Sequence, residues 1–414
     1  VKLSDFGQKF TNHSGILSLM SDLGAAATAP NAQMLGGGNP GVIPEVQQVF
    51  EQHMRALLNR PNAFRQVVAA YDGPQGDHHF RASIATLFRK KYDWPITSAN
   101  ISLTNGSQSA FFMLFNLLGG ITDTFNQQIM LPLTPEYIGY ADTGVGPSLF
   151  QACQPSIKFL ENGFFKYHID FNKLKIPNRI GAICVSRPTN PTGNVLTDEE
   201  VDKLLALARS HQVPLIIDNA YGAPFPNIIF TSTSSIWNED IILTMSLSKL
   251  GLPGIRTGIV IAKPEITEAI SGMNAIINLA TGGLGPAITY PLIDTGEILT
   301  MSTDTIRPYY EQKLRKAVEC VHHTMADLDV FIHKPEGTFF LWLWFRNLSI
   351  DSQLLYERLK ARRVFVIAGH HFFPGLDGDW PHQNQCIRLN YAQDDSTVST
   401  GLRIIADEVR KTLI

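Results

Sequence analysis

Residues 241–258 read I-I-L-T-M-S-L-S-K-L-G-L-P-G-I-R-T-G. The apolar run 241–245 predicts a buried strand. It ends at Ser246 and Ser248, and Lys249 follows at once. A loop broken by glycine and proline then delivers Arg256. Two hydroxyls, an amine and a guanidinium at a strand end suit a phosphorylated, aldehyde-bearing cofactor. The hydroxyls and the Arg can bind a phosphate dianion, and the amine can form a Schiff base with the aldehyde. The pattern is short. A Lys after a strand is ordinarily a solvated surface residue. Residues 246–249 also fit the S-x-x-K of penicillin-binding enzymes, but that reading needs a K-T-G, which the chain lacks.

On either side, short apolar strands alternate with helices, the pattern of a mostly parallel sheet. Strands are expected at 101–103, 129–133, 183–186, 214–217 and 259–261. The turn 104–108 (T-N-G-S-Q) opens a helix to about Leu118 that is apolar nearly all round and therefore buried. Its N-terminus, at Gly106 and Ser107, offers free N–H groups suited to a phosphate. Thr197 and Glu200 form a capping box for a helix that buries Val201, Leu204, Leu205 and Ala208. Ser107, Tyr137, Asn190, Asp218, Tyr221 and Ser246 all follow strands closely. In open α/β sheets the ligand crevice lies at those carboxyl ends, so the topology gathers these side chains on one rim.

Residues 1–45 show no long periodic segment, but they contain G-G-G-N at 36–39, where the backbone can approach a ligand closely. After a long helix near 303–327 a smaller C-terminal unit is expected. Its strands are placed at 338–345, 364–367 and 386–391, with a helix near 351–362 and a final amphipathic helix. The expected division is an N-terminal segment 1–45, a large domain 46–300 and a small domain 301–414.

The chain has 414 residues and a near-balanced charge of −3, so no basic surface argues for nucleic acid. Its four cysteines are dispersed without a C-x-x-C, which suggests neither a metal knuckle nor a redox dithiol. His370, His371 and His382 read as loop histidines, and no metal is expected. No apolar run approaches membrane-spanning length and the first residues carry no apolar signal core. A cytoplasmic chain is the expectation.

The motifs Y-D-G-P-Q-G (71–76), T-N-G-S-Q-S-A-F-F (104–112), P-E-Y-I-G-Y (135–140), S-R-P-T-N-P-T-G-N (186–194), I-D-N-A-Y-G (217–222) and S-L-S-K-L-G-L-P-G (246–254) stand in one order across most of the chain. In that order the chain resembles the aminotransferases of the aspartate-aminotransferase fold (fold type I), which use pyridoxal 5′-phosphate. The resemblance implies an α/β large domain, a smaller α+β domain and a homodimer with shared sites. It makes Lys249 the lysine that bonds the cofactor and later moves the substrate proton, with a pKa lowered by a cation such as Arg256. Asp218 would pair with the ring nitrogen. Asn190 and Tyr221 would hold the ring hydroxyl, and Tyr137 would stack on the ring. Gly106, Ser107, Gln108, Ser246, Ser248 and Arg256 would hold the phosphate, with Tyr71 reaching the partner subunit's phosphate. Arg388 would fork onto the substrate α-carboxylate beside Asn190, with the Gly38–Asn39 backbone closing over it.

No motif offers a second cation for a dicarboxylic substrate. The remaining neighbours expected, residues 36–38, Tyr137 and Ile16 or Leu17, are small or apolar. Transamination between valine or alanine and pyruvate or 2-oxoisovalerate is therefore expected. The alternatives are an aminotransferase for aromatic, 2-aminoadipate or glutamate substrates, and a lyase cleaving C–S bonds on the same fold. A regulator carrying a helix-turn-helix ahead of this fold is not expected, since Gly36 stands only 35 residues in.

Overall fold

The fold was analysed in a computed structural model, which describes residues 1–11, 14–27, 31–123 and 125–412. Eight strands form the central sheet. In spatial order they are Ile101–Thr104, Gly258–Ile261, Ile241–Ser246, Leu215–Asp218, Ile180–Ser186, Asn126–Leu131 and Gly120–Ile121, with Phe150–Ala152 also paired to Asn126–Leu131. The pairings from Ile241–Ser246 through to Phe150–Ala152 are parallel, while Gly258–Ile261 runs antiparallel to both its neighbours.

Parallel sheets need cover on both faces, and the strands at the centre of this one are buried at almost every position. Ala182, Cys184, Ile216, Ile242 and Val260 pack against the Ser107–Leu118 helix. Ile183, Val185, Leu215, Ile217, Leu243 and Met245 join the main core on the other face. The alternation has the period of two that a strand imposes. The register aligns the strand ends. Ser186 lies opposite Asp218, and Asp218 opposite Thr244, while Ser246 and Thr104 both face Gly258. The polar side chains after the strands thus start from one rim.

Helix Asp198–Ser210 carries the capping box at Thr197 and Glu200, and Val201, Leu204, Leu205 and Ala208 are buried. Helices Pro264–Asn278 and Leu284–Thr295 follow the central sheet, and the long helix expected near 303–327 spans Arg307–Thr324.

A second, six-stranded sheet runs Ile367–Ala368, Cys386–Asn390, Phe340–Phe345, Val330–His333, Phe164–His168 and Ser156–Phe159. Its last two strands come from the middle of the chain, between strands of the central sheet. Gln33–Met34 pairs in parallel with Val364–Phe365, which ties the N-terminal segment to the C-terminal part.

One expectation is corrected. Residues 1–45 do contain periodic structure, helices Asp5–Thr11 and Gly15–Ala27. In the second helix Ile16 and Leu19 pack against the core and Met20 lines a cavity. The apolar spacing of three and four residues was present, but the small residues after it diluted the pattern. Among the described residues no helix is long and apolar enough to cross a membrane. The four cysteines are free thiols.

Candidate active site

Strand Ile241–Ser246 ends and the chain turns through a short 3₁₀ helix, Ser248–Leu250, that carries Lys249 inward. The Ser246 hydroxyl stabilises the turn by accepting from the Ser248 backbone N–H at 3.0 Å. Lys249 Nζ donates to Gly38 O at 2.7 Å. It also lies 5.4 Å from the Tyr221 ring centre and 5.5 Å from that of Phe339. Burial holds the amine down from the usual 10.5 to about 8, with Arg388 and then Arg256 adding to the effect and Asp218 opposing it. The expected role of Arg256 is thus present but comes third.

Asp218 ends its strand among buried neighbours. Its Oδ1 accepts from the Ala220 N–H at 3.0 Å, and its Oδ2 from the Tyr140 hydroxyl at 2.8 Å. Burial raises its pKa, and the Tyr140 hydrogen bond opposes that rise.

Arg388 sits on strand Cys386–Asn390 and is 1 % exposed. Its Nη1 donates to Asn190 Oδ1 at 2.7 Å and its Nη2 to Gly36 O at 2.5 Å. The guanidinium lies 4.1 Å over the Phe340 ring centre and 5.3 Å over that of Phe372, and Nε is buried without a hydrogen-bond partner. Asn390 Nδ2 donates to Gly37 O and Asn39 O, which holds the glycine segment over the site.

Helix Ser107–Leu118 has Gly106 as its N-cap, at φ 85° and with no side-chain cap. A Cβ there would lie 2.2 Å from Arg256 Nη2, so glycine lets the guanidinium close on the helix N-terminus. Arg256 Nη1 also reaches the Ser248 hydroxyl at 3.4 Å. Gln108 Nε2 donates to Gly139 O at 2.8 Å, leaving its Oε1 buried and unpartnered. The Tyr137 ring packs where a Cβ at Gly139 would stand, 2.3 Å from one ring carbon.

Lys249, Asp218, Tyr221, Asn190, Arg388, Gly38 and Asn39 therefore converge, with Gly106, Ser107, Ser246, Ser248 and Arg256 at one end and Tyr137 and Gln108 beside them. Tyr71 stands apart: it is 83 % exposed, and none of these contacts includes it. Phe339, Phe340 and Tyr140 belong to the site and were not expected, while Gly36, expected beside the substrate, offers its carbonyl to Arg388. F-F at 339–340 reads as core packing, and only the folded chain sets these rings beside the two cations. Among the described residues no group of three or more His, Cys, Asp or Glu could hold a metal. His382 lies buried in the short turn Pro381–Gln385, where its ring meets the Tyr167 hydroxyl.

The donor set fits pyridoxal phosphate. A lysine partly neutral near pH 8 suits an aldehyde, a buried carboxylate suits a ring N–H, and a guanidinium on an uncapped helix N-terminus with two serines suits a phosphate.

Residues 33–405 match the family described as Aminotransferase class I and II. The chain is 50 % identical to the valine–pyruvate aminotransferase of Escherichia coli strain K12, over 98 % of this chain and 97 % of that protein. It superposes on the crystal structure of valine–pyruvate aminotransferase AvtA from Salmonella typhimurium LT2 with a TM-score of 0.89 and 47 % identity, covering 96 % of this chain and 99 % of the other. A Thermus thermophilus aspartate aminotransferase, 20 % identical, shares the fold with a TM-score of 0.78, covering 99 % of this chain and 100 % of the other.

Proposed function

The chain belongs to the class I and II aminotransferases, which use pyridoxal 5′-phosphate, and from that membership we propose that it transfers an amino group between valine or alanine and pyruvate or 2-oxoisovalerate. The observation that carries the substrate reading is the 50 % identity to a valine–pyruvate aminotransferase along nearly the whole chain. The site supports it, since Arg388 is the cation beside Asn190 and its neighbours are aromatic rings and glycine backbone.

When bound, the cofactor supplies an aldehyde carbon that takes the amino group and a protonated ring that accepts the electron pair left at the substrate Cα. Lys249 Nζ, neutral above about pH 8, takes and returns the Cα proton. Asp218 keeps the ring nitrogen protonated. Asn190 and Tyr221 hold the ring hydroxyl, and Tyr137 covers the ring face. Ser107, Gln108, Ser246, Ser248 and Arg256 bind the phosphate. Arg388 forks onto the α-carboxylate, which replaces the Gly36 carbonyl as acceptor, and the backbone of Gly38 and Asn39 closes that end against water. We keep the division into segment 1–45, large domain 46–300 and small domain 301–414, a cytoplasmic location, and a homodimer in which Tyr71 completes the partner subunit's phosphate site.

The test compares kcat/KM for valine, alanine, glutamate and phenylalanine as donors to pyruvate. Valine and alanine should lead. An apolar pocket separates aliphatic chains by about 1–3 kcal/mol per methylene, so several aliphatic donors should react. Glutamate or phenylalanine ahead by about ten-fold, roughly 1.4 kcal/mol, would overturn the substrate assignment and leave the aminotransferase chemistry standing.

A further inference from the structure

Glu136 is 0 % exposed, a carboxyl with no cation among its hydrogen-bond partners. It lies in the segment between strand Asn126–Leu131 and Tyr137. Its backbone N–H donates to Phe372 O at 2.8 Å, the residue whose ring flanks Arg388. Its Oε1 accepts from the Ser186 N–H at 2.9 Å, and its Oε2 lies 2.5 Å from Ser186 Oγ. Ser186 Oγ lies 3.3 Å from the Tyr140 hydroxyl, which lies 2.8 Å from Asp218 Oδ2.

Counting hydrogens gives this chain a direction. Tyr140 has one hydroxyl hydrogen, and the Asp218 carboxylate can only accept, so that hydrogen goes to Asp218. The longer contact between Ser186 and Tyr140, at 3.3 Å, is a hydrogen bond only when the Ser186 hydrogen is turned toward it. Ser186 then gives its one hydrogen either to Glu136 Oε2, if that carboxyl is ionised, or to Tyr140, if Glu136 is neutral and supplies the proton of the short contact; full burial with no cation beside it favours the neutral carboxyl. With Glu136 neutral, all three donors point the same way, from Glu136 through Ser186 and Tyr140 to Asp218. Burial pushes the Glu136 carboxyl up to about 8, opposed by the Ser186 hydrogen bonds and with Asp218 adding a smaller rise. The other titratable groups facing the pair are Tyr137, Cys184, Tyr221 and Lys249, and of these Lys249 is the cation that draws charge onto Asp218.

We propose that Glu136 is a positioning residue that, as a neutral acid, anchors a one-way hydrogen-bond chain holding Asp218 as a carboxylate toward the cofactor ring. The proposal rests on Asp218 as the partner of the ring nitrogen. Each donor in the series polarises the next, so the chain strengthens the last bond, to Asp218. Without it Asp218 draws the shared proton from the ring nitrogen, and the ring accepts charge less well.

The test is nitrogen NMR of the holoenzyme loaded with cofactor labelled at the ring nitrogen, with kcat and KM measured alongside. Glu136→Gln keeps the geometry, because its amide N–H₂ donates to Ser186 Oγ and its carbonyl accepts from the Ser186 N–H. It should keep a protonated ring signal and a kcat within about two-fold of wild type. Glu136→Leu, Ser186→Ala and Tyr140→Phe should each move the signal toward the unprotonated position and lower kcat about ten-fold, with KM changed less. Ser186→Ala removes one oxygen, so it serves if Glu136→Leu does not fold. A wild-type ring signal in Ser186→Ala, in a sample where Asp218→Ala does shift it, overturns the relay alone. A wild-type signal in Asp218→Ala overturns the Asp218 reading beneath it. A Glu136→Gln signal displaced as far as that of Ser186→Ala overturns the donor direction.

Discussion

Lys249 has two properties that its chemistry needs at once. It is enclosed, and its amine loses its proton near pH 8 because burial and the Arg388 and Arg256 guanidiniums disfavour the cation. A lowered pKa means that the neutral, nucleophilic form is populated above about pH 8 and falls away as pH drops through it. Attachment of pyridoxal phosphate to cofactor-free protein, followed by its visible band, should therefore speed up about ten-fold per pH unit up to about pH 8 and then level off. Lys249→Ala should show no such band at any pH. A band in that variant would exclude Lys249 as the attachment point, and a midpoint near 10.5 would exclude its lowered pKa. The nucleophile was legible from S-L-S-K at a strand end. The stronger of the two cations that add to its pKa shift was not, because Arg388 stands 139 positions further on and reaches the site only through the second sheet.

At the scale of elements, the turn into helix Ser107–Leu118 shows how a backbone conformation makes a binding site. Gly106 stands at φ 85°, ψ 158°, a region open essentially to glycine, and its missing Cβ is the space that Arg256 fills. Gly106→Ala should destabilise the cofactor-free protein by about 1–3 kcal/mol, read by chemical denaturation. It should also push Arg256 off the helix N-terminus, weakening cofactor retention about ten-fold or more, since a charge-assisted bond contributes about 1.5–3 kcal/mol. Unchanged retention in equilibrium dialysis would remove Arg256 from the phosphate site. The glycine was visible in T-N-G-S-Q as a turn residue. That Arg256 approaches it could not be read from the turn, because the approach is set by the antiparallel pairing of Gly258–Ile261 with Ile101–Thr104.

At the scale of the molecule, one face carries apolar side chains in the open. Tyr71, Val68, Ile276 and Leu279 are 83 %, 56 %, 88 % and 66 % exposed. The two segments that carry them are neighbours, since Gly283 stands against Val67 and Asp72, and Asn274 Nδ2 donates to Pro74 O at 2.7 Å. The patch borders the phosphate turn, since Gly282 N–H donates to Asn105 Oδ1 at 3.1 Å. Exposed apolar side chains beside the phosphate turn suit the proposed homodimer in which Tyr71 reaches across. The enzyme should run in solution at twice the mass of one chain. Mixing inactive Lys249→Ala subunits with impaired Tyr71→Phe subunits should restore part of the activity, because half of the mixed sites then combine two intact residues. A single-chain mass with full activity would sink the shared site.

What the sequence by itself determined is local. Apolar runs with turn residues at their ends specify strands buried on both faces, and the residue just after each strand must then stand on the sheet's carboxyl rim. Ser107, Asn190, Asp218, Ser246 and Lys249 follow from that, as does the capping box at Thr197. Only the tertiary structure decided which distant groups meet there. Gly36 and Gly38 offer carbonyls to Arg388 and Lys249 because Gln33–Met34 pairs with Val364–Phe365. Strands Ser156–Phe159 and Phe164–His168 leave the central sheet for the other one. Glu136 faces Ser186 and so looks through Tyr140 to Asp218. Periodicity and turn chemistry act over a few residues. A buried hydrogen-bond partner is chosen by the closing of the whole core around groups that must not be left unpaired, and that choice has no local spacing.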